Sequence, residues 1–161
     1  MNTVRGFHKP NEVNGYLSNW YLSDFECGGV RFSSMEQYMM YQKAQLFEDA
    51  ASAQAILATS DVAEIKRLGR SVGGYNETLW NGLRQIGVYE GLLAKFSQND
   101  DLRQQLLYTG DDILAECAVS DPVWGIGLSM TDERRFDLHS WQGKNCLGFA
   151  LMAVRSKLRN Q

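Results

Sequence analysis

Bulky residues alternate on both sides of Gly28-Gly29, with Phe25-Glu26-Cys27 before the pair and Val30-Arg31-Phe32 after it. A period of two around paired glycines predicts a short β-hairpin, because glycine takes positive φ at both turn positions without strain. From Ser33 the period changes. Met35, Tyr38, Met39 and Leu46, with Tyr41, Ala44 and Phe47 beside them, recur at helical intervals and predict a helix to about Phe47. Ser60 is placed to cap a short helix through Leu68, with Gly69 as its left-handed C-terminal residue and Arg70 following. Asn76 is placed to cap a longer one. In it Leu79, Leu83, Ile86, Tyr89, Leu93 and Phe96 form the expected core stripe. Trp80, Arg84 and Lys95 fall on a different face, shared with Gly87 and Gly91.

Asn99 or Asp100 starts a helix to Leu107 that Gly110 ends, whereas residues 113–118 fit strand or helix equally well. Asp121-Pro122 breaks what precedes it, and Trp124-Gly125-Ile126-Gly127-Leu128 reads as a loop. Asn145 is placed to cap a last helix that buries Leu147, Leu151, Val154 and Leu158. The expected fold class is mostly α, α+β with minor β: a multi-helical domain with a short N-terminal hairpin. No Pro-, Gly- or Ser-rich linker, charge block or repeat divides the chain, so residues 1–161 are expected to form a single domain.

Composition narrows the function. With 161 residues the chain is long enough to bury a solid core. Its 16 Lys+Arg against 19 Asp+Glu, net −3, argue against a general binder of nucleic acid or anionic membrane, so any basic feature is local. Met1 to Phe7 lack the apolar centre of a signal peptide and no run approaches a membrane helix, which leads us to expect a cytoplasmic protein with no membrane partner. The 3 cysteines, Cys27, Cys117 and Cys146, are far apart and read as reduced structural thiols. With His8 and His139 as the only histidines, a His-rich metal site is excluded.

Glu36 is the carboxylate of most interest. It begins a helix on which Lys43 follows two turns later on the same face, about 10 Å along the axis, leaving space for a ligand between them. Two capping boxes compete here. Ser33 with Glu36 would consume the carboxylate on the helix's own backbone, whereas Ser34 with Gln37 would spare it. Lys43, Lys66, Arg70, Arg84 and Lys95 are candidate phosphate ligands, since ammonium and guanidinium groups make charge-assisted bonds to phosphate oxygens. Trp124, in a Gly-rich loop after Asp121, could stack on a flat base; Asp121 itself is either a site residue or a turn residue before Pro122. Glu116 lies on the unassigned segment. No Ser-His or Cys-His arrangement points to a nucleophile.

In order along the chain stand Tyr16-Leu17-Ser18-Asn19-Trp20, Ser34-Met35-Glu36-Gln37-Tyr38-Met39-Met40-Tyr41-Gln42-Lys43-Ala44, Lys66-Arg67-Leu68-Gly69-Arg70, Leu92-Leu93-Ala94-Lys95-Phe96, Asp121-Pro122-Val123-Trp124-Gly125 and Trp141-Gln142-Gly143-Lys144-Asn145. This ordered set resembles the YbiA-like or NADAR family and spans most of the chain. The resemblance implies a compact, mostly helical domain that hydrolyses the N-glycosidic bond between ribose and a base-like group, without cofactor or metal. Two substrate classes are implied: phosphorylated ribosylamino-pyrimidine intermediates of riboflavin synthesis, and ADP-ribose attached to guanine in nucleic acid. By this resemblance Glu36 matches the family's catalytic carboxylate, and Asp121 and Trp124 match a second site segment; we expect Glu36 and Asp121 to be catalytic and Asn19, Lys43, Lys66, Arg70, Trp80, Arg84, Lys95, Trp124 and Gly125 to bind substrate. One departure stands out: Ile126 follows Trp124-Gly125 where several riboflavin-pathway relatives have aspartate, which weakens the pyrimidine assignment and leaves the ADP-ribosyl branch open. A module that binds ADP-ribose or a related nucleotide without turnover is the alternative.

Overall fold

A computed structural model of the chain describes residues 3–161. In chain order its elements are β1 (Val4–Phe7), β2 (Leu22–Cys27), β3 (Val30–Ser34), α1 (Met35–Leu46), α2 (Ala50–Leu57), α3 (Val62–Arg70), α4 (Glu77–Gln98), α5 (Asp100–Tyr108), β4 (Ile113–Glu116) and α6 (Cys146–Arg159), with short 3-10 turns at Gly15–Leu17, Glu133–Phe136 and Leu138–Ser140. The class is α+β and mostly helical, as expected. The chain divides into two compact units, one made of Met1–Tyr21 with Asp100–Gln161 and the other of Leu22–Asn99.

In the first unit β1 and β4 pair in parallel, from Val4 beside Ile113 to Phe7 beside Glu116. Residues 113–118, open in sequence, therefore begin as a strand. Its partner β1 escaped the sequence reading because Val-Arg-Gly-Phe is too short to show a period. Arg5 ties the pair by donating to Asp112 Oδ2 from Nη2 at 2.6 Å and from Nε at 2.9 Å. Helix α6 buries Leu147, Leu151, Val154 and Leu158 as expected. It meets β4 at Gly148, where a Cβ would stand 2.1 Å from the Leu114 carbonyl oxygen, so only glycine allows this approach.

Asn145 occupies the N-cap position of α6, but its side chain does not cap. With φ at 54° it turns back to β4, where Oδ1 accepts from Glu116 N at 3.0 Å and Nδ2 donates to Leu114 O at 2.9 Å. A single amide thus satisfies two backbone groups of a strand whose other edge is taken by β1.

In the second unit the predicted hairpin is present: β2 and β3 pair antiparallel, with Gly28 and Gly29 at φ 61° and 78°. Phe25, Phe32 and Tyr38 form an aromatic cluster at its base, with Phe32 edge-on to Tyr38 at 5.2 Å between ring centroids. Helix α1 packs against α2, α3 and α4. Two glycines allow the close crossings. A Cβ on Gly69 would stand 2.0 Å from Met40 Sδ, and one on Gly91 2.4 Å from Tyr38 Cε1.

Three sequence expectations need correction here. The cap of α3 is Asp61, whose side chain accepts from Ala63 N and Glu64 N, and not Ser60. Gly69 lies inside α3, which runs on to Arg70, because the glycine is there to admit Met40 and not to end the helix. In α4 the expected core residues Leu79, Leu83 and Ile86 are about half exposed or more (54%, 47% and 61%), while Trp80, Val88, Leu92, Lys95 and Phe96 are buried. Apolar residues occupy two sides of this helix, and α1 covers the side that carries Gly91.

Candidate active site

The start of α1 decides the fate of Glu36. Ser34 is the N-cap and its hydroxyl accepts from Gln37 N at 3.1 Å; the Gln37 side chain in turn accepts from Ser33 N at 2.7 Å. Gln37 also donates to the carbonyls of Ile56 and Thr59, at 3.1 Å and 2.8 Å, which locks its orientation. The box is therefore Ser34 with Gln37. The carboxylate of Glu36, half-buried in the first turn, is not the group that closes the cap.

Lys43 shares the face of Glu36, as its spacing predicts. Its Nζ donates to the Gly69 carbonyl at 2.7 Å and lies 4.5 Å from the Tyr75 ring centroid. Burial draws its pKa below that of an ordinary lysine, and the negative charge of Glu36 opposes that shift. Anion and cation thus sense one another beside the α1–α3 crossing. On α3, Lys66 and Arg70 are both exposed and one turn apart.

Lys95, expected among the phosphate-holding cations, is wholly buried, and burial pulls its pKa down to about 7. Trp80 and Arg84 come together, but elsewhere. They line a groove of about 320 Å³ between α1 and α4, with Tyr38 and Trp80 as its aromatic residues and Glu36 not among its lining. Gln42, Gln45 and Glu90 also line it and were not singled out from the sequence. The available signal was that Gln42 and Gln45 follow Tyr38 by one and two helical turns.

In the other unit Asp121 and Trp124 are linked directly. Asp121 Oδ1 accepts from Val123 N at 3.0 Å and from Trp124 N at 2.9 Å, so this carboxylate oxygen organises the turn that carries the indole. The loop is pinned further: Ile126 N donates to Glu116 O, Asn145 N to Gly125 O, and Leu147 N to Trp124 O. Gly125 is buried, and a Cβ there would stand 2.9 Å from both Ala118 Cβ and Glu116 O. Asn19 is part-exposed, yet its Oδ1 is buried with no hydrogen-bond partner among the described residues. Leaving such an acceptor unsatisfied costs about 1–3 kcal/mol, which a donor from a ligand would offset.

Among the described residues no group of three His, Cys, Asp or Glu side chains is placed to hold a metal ion, and no helix is long and apolar enough to cross a membrane.

Residues 6–159 match the NADAR domain. A protein of Acanthamoeba polyphaga mimivirus named as an N-glycosidase is 40% identical over 159 residues, covering 94% of each chain. A riboflavin biosynthesis protein of Vibrio vulnificus is 35% identical over 153 residues, 95% of this chain and 38% of that protein. The NMR structure of the Escherichia coli protein YbiA superposes with a TM-score of 0.81 at 27% identity, covering 99% of this chain and 88% of that one. Matched from near its first residue to near its last, the chain belongs to the NADAR domain family.

Proposed function

We propose that this protein is an N-glycosidase that hydrolyses the C–N bond between ribose and a base, with Glu36 as the carboxylate at the sugar. The substrate is ADP-ribose linked to guanine or a phosphorylated ribosylamino-pyrimidine. Relatives named as N-glycosidases support the reaction class. The observation that carries the assignment of Glu36 is that Gln37, held by Ser33, Ser34, Ile56 and Thr59, performs the capping that Glu36 would otherwise perform.

Breaking a ribose C–N bond leaves positive charge on the ring oxygen and anomeric carbon while the electron pair departs with the base nitrogen. Water adds to the anomeric carbon, one of its protons is lost, and a proton goes to the departing nitrogen. An ionised carboxylate held at the sugar is worth more in that transition state than in the ground state, which is the condition for catalysis. Lys43 shares the face of Glu36 and carries the opposite charge. Lys66 and Arg70, in the same unit as Glu36, are exposed cations suited to phosphate oxygens.

The test compares base release from both substrate classes by wild type and Glu36→Gln. The expected result is turnover of at least one class by wild type, lost in the variant with binding retained. Absence of base release from either class by wild-type protein refutes the reading.

A further inference from the structure

The stripe of α4 that its periodicity marks as a core face is left uncovered. Leu79, Leu83 and Ile86 recur at intervals of four and three residues, the spacing of a seam between two packed helices, and all three stand exposed. From Thr78 to Tyr89, about three helical turns, no exposed residue carries a charge; Arg84, the one charged residue in that stretch, is part-buried and engaged within the protein. In a chain of which 22% of the residues are charged, such a face suits apolar contact and gives a charged partner nothing to pair with.

Two glycines are the second observation. Gly82 and Gly87 flank the row on either side, and a Cβ built on either would meet nothing within 4 Å. A glycine in a helix interior is destabilising relative to alanine. Gly69 and Gly91 offset that by admitting Met40 and Tyr38; Gly82 and Gly87 admit no group of their own chain and leave room for another backbone to come close. Beside Gly87 the groove of about 320 Å³ continues the face, with Leu46, Trp80 and Leu83 as its apolar lining. One patch therefore holds both a projecting row and a recess, the condition for a surface to be complementary to itself.

We infer that this face of α4 pairs with the same face of a second copy of the chain, the two helices running antiparallel across a two-fold axis. The Leu79–Leu83–Ile86 row of each copy lies along the groove and glycine flank of the other. About half of each of these three side chains is open to water, on the order of 300 Å² of apolar surface per copy, and the groove wall and the uncharged Thr78 and Gln85 add to it. The sum falls near the lower limit for a specific interface, about 600 Å² per partner, and gives a dimer that dissociates at about 10–100 μM. Glu77 and Glu90 bound the face and each copy carries a net charge of −3, so like charge opposes the pairing and salt, by screening it, strengthens it. Association needs no substrate, so its outcome is independent of the hydrolysis at Glu36.

The test is sedimentation velocity of wild type from about 1 to about 500 μM, at low and at high salt. The expected result is a monomer at the lowest concentration, a mass approaching two copies at the highest, and a dissociation constant that falls or stays level as salt is raised. Ile86→Glu sets like charges against one another near the two-fold axis and is expected to weaken the dimer at least about tenfold. Its melting temperature, read at about 1 μM where both proteins are monomers, is expected to change little because the side chain is exposed. Leu79→Glu serves the same purpose should Ile86→Glu fail to fold. Tyr108→Glu, at an exposed apolar side chain of α5, is expected to leave the dissociation constant within about twofold of wild type. A wild type still monomeric at about 500 μM, a dimer that dissociates as salt is raised, a folded Ile86→Glu or Leu79→Glu that dimerises as tightly as wild type, or loss of the dimer in Tyr108→Glu overturns the inference.

Discussion

The same substitution at two positions one turn apart on α4 is expected to have opposite signs. At Gly87 an alanine Cβ meets nothing within 4 Å, so only the change in helix propensity remains and the protein gains about 0.5–1 kcal/mol. At Gly91 the same gain is opposed by the Tyr38 ring, whose Cε1 and Cδ1 would stand 2.4 Å and 2.6 Å from the new carbon, and by Met35 Cε at 2.9 Å. These groups cannot yield cheaply. Tyr38 is 2% exposed and packs edge-on against Phe32 and within 6.0 Å of Phe25. Relief therefore requires α4 to move away from α1. Overpacking of this kind costs about 1–3 kcal/mol and sometimes more, so Gly91→Ala is expected to be net destabilising by about 1–2 kcal/mol. For a chain of this size that separates the two variants by several degrees in melting temperature, on the order of 2–4 °C per kcal/mol. Urea titration of both, read at the midpoint with the slope held common, is the assay. If Gly91→Ala proves as stable as Gly87→Ala, the tight α1–α4 crossing that defines the groove is wrong.

Further expectations follow from single contacts. Asp61→Ala should lose about 1 kcal/mol through the bonds it accepts from Ala63 N and Glu64 N, while Ser60→Ala should stay within about 0.5 kcal/mol, as chemical denaturation will show. Asn145→Ala strands Glu116 N and Leu114 O inside the fold and should cost about 2–4 kcal/mol by the same assay. For Lys95 the folded pKa of about 7 lies below the unfolded value of 10.5, so the unfolded chain binds more protons between them. Stability contributed by this residue therefore rises from pH 7 toward pH 10.5 and is at its lowest, and constant, below pH 7. Lys95→Met should exceed wild type in stability most at pH 6, with the gap narrowing as pH rises; a gap independent of pH contradicts the burial of the charge.

What the sequence made readable depended on whether a signal was local. The Gly28-Gly29 hairpin, the span of α1, the Asn76 cap and the buried stripe of α6 follow from patterns within a few residues, and they are present. Strand β1 was invisible because its stability comes from β4, more than a hundred residues away. Two faces of α4 carry apolar residues, and periodicity alone does not say which one another helix will cover; the glycine that admits Tyr38 does. At the candidate site, both capping boxes were legible, but the choice between them rests on Gln37 finding the carbonyls of Ile56 and Thr59, a tertiary contact. Asp121 remained open between turn and site because the sequence does not reveal that two backbone N–H groups point at one of its oxygens. Lys95 could not be recognised as buried from a spacing that suits an exposed face equally well.

The central claim is that the carboxylate of Glu36 stabilises charge on a ribose ring as its bond to a base breaks. The most direct measurement is the single-turnover rate of base release by wild type and Glu36→Gln on the substrate class that wild type accepts. The isosteric amide keeps the shape of the side chain and removes its charge, so the account predicts a fall of at least about a hundredfold in the chemical step with substrate affinity little changed. A variant that releases base at the wild-type rate contradicts it.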